Sequence, residues 1–109
     1  MTFDEYQKKS KETAFYPAIG HGVVYPVMGL ANEAGEVAGK VKKVFRDANG
    51  ILTDAHREDI SKELGDVLWY VAQVASEIDV SLSDVARANI EKLQARKEKG
   101  TLKGSGDNR

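Results

Sequence analysis

The stretch "LANEAGEVAGKV", residues 30–41, decides how the chain is read. Its apolar residues recur at helical spacing, yet it holds two glutamates, Glu33 and Glu36, and two glycines, Gly35 and Gly39. A glycine inside a helix costs about 1 kcal/mol relative to alanine, so this helix spends stability for some reason. At about 100° per residue, Leu30, Val37, Val41 and Val44 fall within about 80° on one side of Glu33. Glu36 and Lys40 fall just to its other side. The acid pair therefore borders the apolar stripe instead of opposing it.

A second segment, "SKELGDVLWYV" at residues 61–71, repeats the arrangement. Ile60, Leu64, Val67, Val71 and Ile78 form the stripe, with Glu63 and Asp66 at its edge. A lone acid pair three residues apart usually belongs to a solvated helix face. Two pairs at the same offset from their stripes, accompanied by Gly29, Gly35 and Gly65, suggest a shared seam with room for close approach. Four carboxylates there repel each other and resist desolvation. Lys40 can offset one charge by pairing with Glu36 across one helical turn. Oxygen-only ligands suit hard divalent cations, Mg²⁺ first and Mn²⁺ as its substitute. A carboxylate-bridged di-iron site would need Glu-x-x-His, and neither His21 nor His56 has a glutamate three residues before it.

Outward from these pairs, the 109 residues fit one domain, and 41% hydrophobic with 30% charged residues is a globular composition. A net charge of −1 gives no general pull toward nucleic acid or an anionic membrane. The absence of cysteine removes disulfides, thiolate metal sites and cysteine nucleophiles. Without a signal peptide or a long apolar run, the expected location is cytoplasmic.

Thr2 and Glu5 open a first helix over about 3–14 by a capping-box pattern. The loop "FYPAIGHGVVYP" leads to Pro26, a first-turn residue of a helix running to about Arg46, where Asn49-Gly50 stops it. Asp54 or Thr53 caps a third helix ending near Ile78, and Ser81 with Asp84 caps a fourth reaching about Lys97. No period-2 alternation competes. The expected fold is all-α, a four-helix oligomeric bundle, with one domain over 1–99 and a flexible C-terminal tail over 100–109.

The two pairs, "E33-x-x-E36" and "E63-x-x-D66" with their flanking glycines and apolar positions, resemble the signature of the MazG-like nucleoside triphosphate pyrophosphohydrolases. The resemblance runs from about Tyr25 to Arg96. It implies an all-α bundle working as a dimer or dimer of dimers, and Mg²⁺-dependent cleavage of an NTP or dNTP between the α- and β-phosphates. It also implies that Glu33, Glu36, Glu63 and Asp66 are metal ligands and catalytic residues. "NIEKLQAR" matches the family's asparagine-lysine region, which makes Asn89, Lys92 and Arg96 candidate nucleotide contacts. Helical spacing independently puts those three beside the core edge of their helix. Lys40 and Tyr70, both beside the acids, complete the substrate-binding candidates.

Phe15, Tyr16, His21 and Tyr25 flank or occupy the first loop and are candidates for gripping a base, although simple packing is an equal reading. Trp69, among small residues on its helix, suggests either a subunit interface or a contact with the first helix. Two competing readings concern non-catalytic modules. One is a helical oligomerisation unit whose acids bind no metal. The other is a nucleic-acid-binding module built on the basic end of the chain, with Lys92, Arg96, Lys97, Lys99, Lys103 and Arg109 against Glu98 and Asp107. No nucleic-acid-binding motif accompanies those cations, and a helix C-terminus favours them by its dipole.

Overall fold

Each helix starts and stops where its local chemistry dictates. In the computed structural model, which describes residues 1–107, the Thr2 hydroxyl accepts from the Glu5 amide at 3.1 Å and opens α1, Phe3–Ser10. α1 is shorter than the capping pattern predicts: after Ser10 the chain tightens into a single 3₁₀ turn, Lys11–Thr13. α2 spans Val24–Ala48. It begins before Pro26, which costs nothing because first-turn amides have no helical acceptor. Asn49 and Gly50 at φ 52° and 75° end it in the left-handed region.

α3, Asp54–Glu77, opens on a reciprocal cap. The Thr53 hydroxyl accepts from the His56 amide at 3.2 Å, and His56 Nδ1 accepts from the Thr53 amide at 3.1 Å. α4, Leu82–Lys99, starts at Ser81, whose Oγ accepts from the Asp84 amide, and ends on left-handed Gly100. The described residues are thus all-helical, with four helices and no strand. No helix among them is long and apolar enough to cross a membrane. Asn108 and Arg109 lie outside the described residues, Arg109 of the basic run among them.

The five-residue connection after α2 folds α3 back along it, in the manner of an αα-hairpin. Gly22 faces Glu77, Gly29 faces Tyr70, and Glu33 faces Asp66, which fixes an antiparallel register. At Gly29 the Tyr70 ring lies directly over the backbone, where a β-carbon would collide with it. Gly35 and Gly65, expected to allow similar approaches, have open space above them.

α1 crosses α3 and contacts α4, and polar side chains tie it there. The Gln7 amide nitrogen donates to Ser76 Oγ and to the Val80 carbonyl, while its oxygen accepts from the Leu82 amide at 2.8 Å. Gln73, only 1% exposed, donates to Ser10 Oγ at 2.7 Å, and Ser10 donates to the Gln7 carbonyl. Of the two readings of Trp69, the contact within the chain is present, made to the turn that follows α1. The indole donates to Thr13 Oγ1 at 2.9 Å and meets Tyr16 and Tyr70 edge-on.

The apolar core is small. Val44, Ala72, Ala75 and Leu82 are its fully buried aliphatics. On the outer face of α2, Val27, Ala31, Ala34, Ala38, Val41 and Phe45 follow one another at alternating spacings of four and three, and all six are exposed. The radius of gyration, 16.7 Å, exceeds the roughly 13 Å of a compact chain of this length.

Candidate metal centre

The α2–α3 register brings together three of the four carboxylates that the helical spacing puts on one seam. Glu33 from α2 and Glu63 and Asp66 from α3 each offer an oxygen, and the three atoms lie within 4.8 Å of one another. Glu33 and Glu63 are half-buried, and Asp66 is exposed. Ligands of one octahedral cation at 2.0–2.1 Å stand roughly 3 to 4 Å apart, so the donor set and its spacing suit a small hard cation.

The Glu33 carboxyl is pushed above the usual carboxylate range. Burial contributes most, followed by the charge of Asp66, a hydrogen bond and charge from Glu63, and the charge of Glu36. Every one of these acts against ionisation. Glu36, one turn further along α2, is exposed and stays outside the three-carboxylate group.

Tyr70 reaches the cluster from one turn along α3. Its phenol is raised by burial first, then by Tyr25, Glu33 and Asp66. Tyr6, from α1, also feels Asp66 after burial, and nothing in the pattern of α1 marks it as a neighbour of the acids. Lys40 lines a cavity of about 190 Å³ with Lys43, Asp47, His56 and Asp59, and among the described residues it forms no ion pair with Glu36.

The α4 candidates stand apart from the acids within one chain. Asn89 is exposed, and none of the charges acting on Glu33 comes from α4. Lys92 Nζ and Arg96 Nη2 each lie 3.1 Å from the same Asp107 oxygen, and Arg96, 5% exposed, also donates to the Gly106 carbonyl. Hydrogen bonds from Lys92 and then Arg96 hold the Asp107 carboxyl below its usual range. These two cations therefore already bind an oxyanion, supplied by the chain itself.

The polar face of α3 continues past the acids. Glu63, Asp66, Tyr70, Gln73 and Glu77 succeed one another at spacings of three and four, placing all five on one stripe. Its far end lines a cavity of about 360 Å³ with Tyr16, Gly22 and Ser76. Tyr16 donates to Glu77 Oε1 at 2.6 Å, and burial together with that carboxylate pushes its phenol up to about 12. Tyr16 stacks on Tyr25 with centroids 5.7 Å apart, and Trp69 meets Tyr70 at 5.1 Å. An aromatic wall thus joins this cavity to the carboxylates. Phe15, 90% exposed, and His21, whose Nδ1 accepts from the Val23 amide, stay outside it.

Comparison with known proteins identifies the family of the chain. The family model of the MazG nucleotide pyrophosphohydrolase domain matches residues 27–101, which span the acid pairs of α2 and α3 and all of α4. The chain is 51% identical over 114 residues to the Gene 37 protein of Mycobacterium phage L5, with the full length of both chains covered. No solved structure matches.

Proposed function

Because the chain belongs to the MazG nucleotide pyrophosphohydrolase family, we propose that it hydrolyses a nucleoside or deoxynucleoside triphosphate between the α- and β-phosphates. The products are the nucleoside monophosphate and pyrophosphate. The observation that carries this reading is the convergence of Glu33, Glu63 and Asp66 on one point between α2 and α3.

Glu33, Glu63 and Asp66, with Glu36 one turn away, hold Mg²⁺, for which Mn²⁺ substitutes. Bound there, the cation neutralises phosphate charge and acidifies water. The chain's own contribution is positional. The antiparallel register holds the carboxylates in place before substrate arrives, so little reorganisation is needed. Water attacks the α-phosphorus, the bond from that phosphorus to the oxygen bridging toward the β-phosphate breaks, and the water proton passes to a carboxylate oxygen of the cluster. Tyr70 lines the pocket beside them, with Lys40 further along α2. Asn89, Lys92 and Arg96 contact the nucleotide, the two cations exchanging Asp107 for the β- and γ-phosphates.

The exposed seam Val27–Ala31–Ala34–Ala38–Val41–Phe45 has the narrow four-three spacing by which helices pair. It supports self-association, as a dimer or a dimer of dimers, that covers this face. The functional experiment is Mg²⁺-dependent pyrophosphate release over the standard triphosphates. The wild type is expected to turn over at least one of them, and Glu63→Gln to lose at least about a hundredfold. Wild-type rates in Glu63→Gln under saturating Mg²⁺ refute the assignment.

A further inference from the structure

Within the nucleotide pyrophosphohydrolase reading, and resting on it, the structure assigns Glu77 as the residue that selects a guanine base in the cavity at the far end of the α3 stripe. Four observations meet there. Glu77 lies on the same face of α3 as Glu63 and Asp66, eleven residues beyond Asp66, which is about 16 Å along the helix axis; Gln73 lies about 10 Å along. That is the direction and scale over which a nucleotide extends from its α-phosphate to its base. The aromatic wall of Tyr25, Tyr16, Trp69 and Tyr70 spans the interval, and Tyr25 is 37% exposed and free to offer a stacking face.

Glu77 supplies a carboxylate acceptor at the end wall, and Lys11 lines the same cavity without pairing with it. Among the described residues no cation forms an ion pair with Glu77, and its one hydrogen-bond partner is the Tyr16 hydroxyl, at Oε1. The other oxygen, Oε2, lies over Gly22, where a β-carbon would collide with it, so glycine at that position keeps the carboxylate's place open. Gln73, 1% exposed and lining the same cavity, gives its amide hydrogens to Ser10, and no donor among the described residues meets its oxygen.

A carboxylate accepts and cannot donate. Guanine alone among the standard bases presents two neighbouring donors, N1–H and the N2 amino group, on one edge. Cytosine and adenine place an acceptor nitrogen beside their single amino group, and uracil and thymine flank N3–H with two carbonyl oxygens, all of which a carboxylate repels. A carboxylate facing the base edge discriminates because the wrong base leaves it unpaired.

The test has two arms. Pyrophosphate release is measured for dGTP, dATP, dCTP and dTTP with the wild type, Glu77→Gln and Gly22→Ala. Metal-free thermal stability is measured with dGMP, dAMP, dCMP and dTMP. The expected result is a wild-type kcat/KM for dGTP at least about tenfold above the others, and a dGTP-to-dCTP ratio that falls at least about tenfold in Glu77→Gln. Glu77→Gln retains an oxygen to accept from Tyr16; should it nevertheless fail to fold, Gly22→Ala, which crowds the carboxylate, is expected to lower the same ratio. Without metal, dGMP is expected to raise the wild-type Tm more than the other monophosphates. Turnover of triphosphates without a guanine preference, or a preference untouched by both variants, overturns the assignment of Glu77 and leaves triphosphate hydrolysis standing. Turnover of no triphosphate removes both readings.

Discussion

α2 and α3 carry stripes of the same four-three spacing with opposite treatment. On α3 the stripe is polar, Glu63, Asp66, Tyr70, Gln73 and Glu77, and all but Asp66 are at least partly covered by α1, α2 and the first loop. On α2 the outer stripe is apolar, from Val27 to Phe45, and every member is exposed. Burial normally sorts residues the other way, and each inversion has a physical consequence. Covered acids that lack a counter-charge raise the cost of burial, and a bound cation would lower it. An exposed apolar seam of six residues is the surface on which the proposed self-association would occur.

Introducing a charge into the apolar stripe should have the largest structural effect. Phe45→Glu is expected to shift the protein to the monomer mass in light scattering, with helix content retained in far-UV circular dichroism. An unchanged assembly would place the subunit contact elsewhere.

The corner where α1 meets α3 and α4 is also held by covered polar groups. Gln7→Ala removes three hydrogen bonds and leaves the Leu82 amide without its acceptor. It should cost about 1–3 kcal/mol, read as a lower urea midpoint at unchanged slope. No loss would mean that apolar contacts alone seat α1.

The smallest effect concerns Asp4, which accepts from the Ser81 hydroxyl at 2.7 Å and from the Ser83 amide at 3.3 Å. The Ser81 bond, then those from Ser83, hold its carboxyl below the usual range. A carboxyl whose pKa is lower folded than unfolded stabilises the fold fully above its unfolded value. That contribution disappears as pH falls through the folded value. Asp4→Asn should therefore lower Tm slightly at neutral pH and flatten its decline in acid. An identical acid limb in both proteins would show that the contact contributes nothing.

How much of this could be read from the sequence follows from which forces leave a periodic trace. The four helices were legible because caps such as Thr53 and Ser81 and stops such as Asn49-Gly50 are local chemistry. The meeting of Glu33 with Glu63 and Asp66 was legible because both pairs keep the same offset from an apolar stripe. The Gln7–Ser10–Gln73 network was not, since a buried amide has the spelling of a surface residue until its partner is known. The outer seam of α2 was obscured by its three alanines, which carry little hydrophobic signal, and by Val41, which also counts toward the inner stripe. Trp69 left two readings open, another subunit or the first helix, because its small neighbours carry no signal of a partner; Thr13, 56 residues away in sequence, supplies one within the chain.

In the proposed enzyme, carboxylates from α2 and α3 share a divalent cation. Anomalous scattering from crystals soaked in Mn²⁺ tests it most directly. The expected result is a peak bonded to oxygens of Glu33, Glu63 and Asp66 that vanishes in Glu63→Gln. Crystals with no peak at that point, or with manganese held only by residues elsewhere, would contradict it.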